Sequence, residues 1–271
     1  MYFTTETKET RHPVRIQSMA NTELHHPERE IELETAENVR DLGGYTTRNG
    51  DKTRWRVFVR SGDMDRLSPS DQQTFVAYGI NTVIDLRMQK EIDASPNPFS
   101  NSAAVDFKIH DFWGTRFDGY RSANKQASPP QKLADLYCLG LEQSGFVMAE
   151  IMSTFAADER SGFAFHCRSG KDRTGLVAAL LLSIAEVPRD TICADYALTA
   201  DYLKQTAINP IAANKPGAWQ RGCAAETMAL TLSFLEQRFD GALNYLRAQG
   251  VSDDDLETIR AKFVTDAAEH R

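Results

Sequence analysis

The chain has 271 residues, 41% of them hydrophobic, and a formal net charge of -7. That length and composition suit one large α/β unit with a sizeable core. The acidic balance excludes a general nucleic-acid binder, which presents a basic surface, yet leaves room for a local cationic pocket.

The four cysteines, Cys138, Cys167, Cys193 and Cys223, form no CxxC pair and read as free thiols. No apolar run reaches the roughly 18 residues of a membrane span. The N-terminal text has no apolar core of a secretory signal, so the expectation is a cytoplasmic protein.

In chain order, residues 1–24 are polar and aperiodic and predict a flexible arm, with residues 25–271 as one domain. Ile31-Glu32-Leu33-Glu34 alternates as a strand does. Asn49-Gly50 signals a hairpin turn ahead of a strand over residues 54–59. Ser68-Pro69 opens a helix, with Ser68 as N-cap, Asp71 in the first turn and Gly79 as the stop. Residues 81–86 and 105–109 predict strands, and residues 131–157 two helices broken near Ser144-Gly145. A brief apolar strand follows at 162–166, then an apolar helix over 174–187 ended by Pro188. Helices are predicted over 190–205, over 224–249 with a break near Asp240-Gly241, and over 253–267 with Ser252 as cap. Residues 208–222, rich in Asn, Pro and Gly, form the long irregular stretch of this half. Strands separated by helices predict an α/β sandwich with a central, mainly parallel sheet and helices on both faces.

The chemistry lies in Phe163-Ala164-Phe165-His166-Cys167-Arg168-Ser169-Gly170-Lys171-Asp172-Arg173-Thr174-Gly175. A cysteine stands where a buried strand ends, and an arginine six positions later opens an apolar helix. The loop's N–H groups can form an anion nest, and the helix N-terminus adds positive potential. That field favours the thiolate, the nucleophilic form of a cysteine. Arg173 can grip two phosphate oxygens with its planar fork, and Arg168, Ser169, Gly170, Lys171 and Asp172 complete the cradle. Thr174 can donate to the sulfur, Gly170 allows close approach to a ligand, and His166 precedes the nucleophile. A nucleotide P-loop is excluded: Asp172 stands where Ser or Thr would bind magnesium, and no glycine lies five residues before Gly170.

Residues 166–175 resemble the signature loop of the protein tyrosine phosphatase superfamily. The Gly-Lys-Asp-Arg-Thr-Gly variant resembles its bacterial tyrosine phosphatase family, with mycobacterial and Listeria members. Asn38-Val39-Arg40-Asp41-Leu42-Gly43-Gly44, Phe58-Val59-Arg60-Ser61-Gly62, Val83-Ile84-Asp85-Leu86-Arg87 and Ala194-Asp195-Tyr196 resemble further blocks of that family. The likeness extends from about residue 30 to the end. It implies hydrolysis of phosphotyrosine through a phosphocysteine, with phosphoserine, phosphothreonine or phosphoinositide activity as further readings. It also implies inorganic phosphate as product and no cofactor or metal. Arg168 and Lys171 carry the phosphoinositide reading, because extra cations beside the cradle suit a multiply charged head group.

The leaving group needs a proton, and a carboxylic acid can supply it before serving as base on water. Asp111 follows a predicted strand, at about the place where the resembling family has an aspartate. Asp172 lies inside the loop, where the family's loop also carries one. Asp106 and Asp118 are the reserves. Asp41 and Asp85 are expected to pair with arginines such as Arg40, Arg60 or Arg87. The rival readings are a rhodanese-like sulfurtransferase and a phosphoprotein-binding module that does not turn its ligand over.

Overall fold

Residues Thr82–Asp85 and Phe163–His166 are buried at every position, as strands covered on both faces of a sheet are. The computed structural model describes residues 22–116, 126–203 and 218–265. Its main sheet contains β1 (Arg40–Asp41), β3 (Phe58–Ser61), β4 (Thr82–Asp85), β5 (Asp106–Ile109) and β6 (Phe163–His166), in the order β1-β3-β6-β4-β5. β1 runs antiparallel to β3, and all other pairs are parallel. A second ribbon pairs β2 (Lys52–Thr53) with β7 (Val264–Thr265).

The pleat divides the core in two. Phe58, Ile84, Phe163 and Phe165 join one cluster with the helices α4 (Gly145–Ala157), α5 (Asp172–Ile184) and α10 (Asp253–Phe263). Val59, Val83 and Ala164 face the other way, against Phe75 of α1 (Pro69–Tyr78). The protein is therefore an α/β sandwich with a mostly parallel sheet. Because β6 is central, Cys167 emerges at the carboxyl end of the middle strand, where parallel sheets place their ligands. Further described helices are α2 (Gln89–Ala94), α3 (Pro129–Gln143), α6 (Arg189–Ala197), α7 (Thr199–Tyr202), α8 (Ala225–Phe239) and α9 (Ala242–Ala248). No described helix is long and apolar enough to cross a membrane.

Local signals set several boundaries as expected. Ser68 accepts from the Asp71 N–H at 3.0 Å, and Gly79 ends α1 in the left-handed region. Other expectations need correction. Residues 31–34 form no strand, because the Glu34 and Thr35 N–H groups go to the Asp71 carboxylate. The strand predicted over 54–59 starts only at Phe58, since Arg56 turns the chain at φ 65 and gives its N–H to Asp41. The signature helix begins at Asp172 instead of Thr174 and ends at Ile184. The helix predicted over 190–205 divides into α6 and α7, and the last helix ends at Phe263 because Val264 and Thr265 pair with β2. Residues 22–24 are helical, and Glu23 accepts from Thr46 and Lys52, so the attached body begins before residue 25. The rest of the predicted arm and residues 204–217 of the irregular stretch lie outside the described residues.

Candidate active site

The geometry of the loop after β6 rests on peptide planarity. The carbonyl of Arg168 accepts from the Asp63 N–H at 2.9 Å, that of Ser169 from Asn38 Nδ2 at 2.9 Å, and that of Gly170 from Arg60 Nη2 at 2.9 Å. In a trans peptide the N–H points opposite the C=O, so the N–H groups of Ser169, Gly170 and Lys171 face away from those three donors. No backbone N–H from residue 168 to 174 has an acceptor among the described residues. The first turn of α5 adds its own unpaired donors. Cys167, 1% exposed, stands at the head of this nest. Gly170, at φ 66, is also required by the fold itself. A Cβ there would lie 2.5 Å from the Ser61 carbonyl oxygen, so the glycine lets the loop rest on the end of β3.

Arg173 is buried and arrives already oriented. Its Nη1 and Nη2 lie 2.6 and 3.2 Å from the two oxygens of Glu91, and Nη1 also reaches the Leu86 carbonyl at 3.3 Å. Burial works against its charge, but Cys167, Glu91 and Asp172 outweigh that and hold it cationic. Its Nε is buried without a hydrogen-bond partner among the described residues, as is Thr174 Oγ1. His166 braces the peptide of Cys167: Nδ1 donates to the Cys167 carbonyl at 3.3 Å, while Nε2 lies 2.9 Å from Asn97 Nδ2 and 3.4 Å from Asp85.

The two candidate acids sit differently. Asp111 accepts from the Gly114 N–H at 2.6 Å and the Gln89 N–H at 3.3 Å, which ties it to the start of α2, two residues from Glu91. Asp172 accepts at Oδ1 from the Tyr137 hydroxyl at 2.5 Å, with Lys171 Nζ 3.4 Å away, and Oδ2 has no partner among the described residues. Asp106 is engaged by Arg160, and Asp118 lies outside the described residues. Arg168 is exposed, whereas Lys171 is buried at 4% exposure and donates to the Gln220 carbonyl. Ser169 is half-buried. All four cysteines are free.

A family model described as "Tyrosine phosphatase family" matches residues 31–265, most of the chain. This chain belongs to the tyrosine phosphatase family. A "Tyrosine-protein phosphatase" of Nostoc commune is 29% identical over 219 residues, covering 76% of this chain and 74% of that protein. The "Triple specificity protein phosphatase PtpB" of Mycobacterium tuberculosis is 30% identical over 202 residues, covering 64% of this chain and 70% of that protein.

In this tyrosine phosphatase family member the scaffold pairings differ in part from expectation. Asp85 does pair with Arg87, at 2.7 Å. Asp41 pairs with neither Arg40 nor Arg60; its carboxylate takes the Gly43 and Arg56 N–H groups and the Tyr78 hydroxyl. Arg40 and Arg60 instead converge on Asp195, at 3.1 and 2.5 Å. Glu91 and Tyr137 escaped the sequence reading. The one signal for Glu91 was its place four residues beyond Arg87, in the first turn of a short helix. Asp63 is a further carboxylate beside the loop, pushed up by burial and pulled down by Arg87 at 2.9 Å.

Proposed function

We propose that this phosphatase hydrolyses phosphotyrosine, with phosphoserine and phosphothreonine as further substrates, through a phosphocysteine at Cys167. The observation that carries the reading is the outward pull on three successive loop carbonyls, which turns their N–H partners into an anion nest around a buried thiol. Arg173, held by Glu91, grips the phosphate. The sulfur attacks phosphorus, and the ester P–O bond breaks. Asp111, tied to the start of α2 through the Gln89 N–H, gives its proton to the departing oxygen after one of its two N–H contacts lets go. Water then attacks the phosphocysteine, Asp172 Oδ2 takes the water proton, the P–S bond breaks and inorganic phosphate leaves. Thr174 Oγ1, without a partner, is available to the sulfur as it departs. The chemistry calls for no metal or cofactor.

The phosphoinositide reading loses one of its two cations, because Lys171 is fastened to Gln220 and Asp172. A side-by-side assay of phosphopeptides and phosphoinositides orders the two substrate classes. The decisive experiment for the reaction is Cys167→Ser with para-nitrophenyl phosphate. Turnover should vanish while phosphate still binds, since the nest and Arg173 remain. Activity within tenfold of wild type would remove Cys167 from the mechanism, and a wild type that binds phosphate without turnover would make the protein a binding module.

A further inference from the structure

A fully buried phenol aimed at the loop is hard to explain by packing alone. Tyr137, on α3, is 0% exposed, and a phenylalanine would fill the same space without the cost of burying a hydroxyl. Its hydroxyl lies 2.5 Å from Asp172 Oδ1 and 2.8 Å from the hydroxyl of Tyr196 on α6. A carboxylate oxygen only accepts, so the single Tyr137 proton goes to Asp172. The Tyr196 proton must then point at the Tyr137 oxygen. The chain has one direction: Tyr196 to Tyr137 to Asp172. Burial, and then the charge of Asp172, push both phenols well above their ordinary range, which keeps them donors.

This chain holds one oxygen of Asp172 and leaves the other. Oδ1 lies between the Tyr137 hydroxyl and Lys171 Nζ, and Lys171 is itself anchored on Gln220. Because the carboxylate is planar, fixing Oδ1 from the side of α3 fixes the direction of Oδ2. The Asp172 side chain is 27% exposed and stands next to Arg173, in the first turn of α5. We infer that Tyr137 is a positioning residue for phosphocysteine hydrolysis, aiming Asp172 Oδ2 at the attacking water, with Tyr196 as its support. The inference rests on the proposed two-step reaction and assigns Tyr137 to the second step alone.

Rapid-mixing kinetics with para-nitrophenyl phosphate separates the steps, since the burst reports phosphorylation of Cys167 and the steady state reports hydrolysis. Tyr137→Phe should leave the burst rate within about twofold and slow hydrolysis about tenfold, a part of the 10²–10⁴ typical of acid–base assistance. Asp172→Asn should slow hydrolysis further, and the double variant should be no slower than Asp172→Asn alone. Tyr196→Phe leaves the carboxylate contact intact and should give the same imbalance at about two- to threefold; it carries the test if Tyr137→Phe does not fold. Equal slowing of burst and hydrolysis, or additive effects in the double variant, would overturn the assignment. Cys167→Ser run in parallel keeps the outcomes apart. If that variant is inactive while Tyr137→Phe shows no imbalance, the positioning role fails and the phosphocysteine reading stands.

Discussion

In the proposed reaction Arg173 must meet phosphate, so its guanidinium has to be held without being used up. Glu91 does this for Arg173 by taking Nη1 and Nη2 from the side of α2, leaving Nε without a partner. The pair spans 82 positions of sequence, and Glu91 also closes the turn of its own helix by accepting from the Met88 N–H at 2.8 Å. Glu91→Gln keeps the shape but removes the charge and one acceptor from the fork. It should lower kcat about ten- to hundredfold, as a slightly misplaced group does, and weaken phosphate binding. The melting temperature should fall as well, because the variant leaves the buried Arg173 cation with less compensation. Steady-state kinetics with a phosphate-inhibition titration checks this. Wild-type kcat in that variant would mean that Arg173 needs no orienting partner.

Among the elements, one buried carboxylate ties β1, β3, α6 and the loop together. Asp195 lies 3.1 Å from Arg40 and 2.5 Å from Arg60 and accepts from the Tyr45 hydroxyl at 3.0 Å, while Arg60 passes on to the Gly170 carbonyl. Removing one member of such a buried set exposes the others to an uncompensated charge. The tie also has a pH signature. Burial alone would raise Asp195 and Asp85, but Arg40, Arg60 and Arg29 around the first, and His166 and Arg87 around the second, hold both well below the usual carboxylate range. A carboxylate lowered on folding stabilises the native state above its unfolded value of about 3.9 and loses that contribution as pH falls through the folded value. Urea midpoints should therefore drop steadily once the pH passes below about 4. A midpoint that stays level or rises between about pH 4 and pH 3 would show that these pairs do not stabilise the fold.

At the scale of the whole molecule, the sequence is most legible where physics is local. Ser68, Asp71 and Gly79 bound α1 through contacts within the helix itself, and β4 and β6 read as short strands rich in β-branched and aromatic residues. The loop after β6 was legible because strand, cysteine, arginine and apolar helix are consecutive. What escaped were pairings between distant positions. Asp195 is 155 residues from Arg40, and nothing in Ala194-Asp195-Tyr196 says which arginine it will meet. Lys171 read as a loop cation free to meet a head group, because its burial depends on the carbonyl of Gln220, 49 residues on. The left-handed turn at Arg56 carries no glycine to announce it. All these long-range contacts converge on the peptide units around Cys167, so the central claim concerns that one sulfur. The most direct test is to mix the enzyme with radiolabelled phosphotyrosine substrate, quench within the burst, and locate the label among the proteolytic peptides. The account predicts a phosphoryl group on the peptide containing Cys167, lost in Cys167→Ser and enriched in Asp172→Asn. Turnover with a burst but no covalent label on that peptide, or label on another residue, would contradict it.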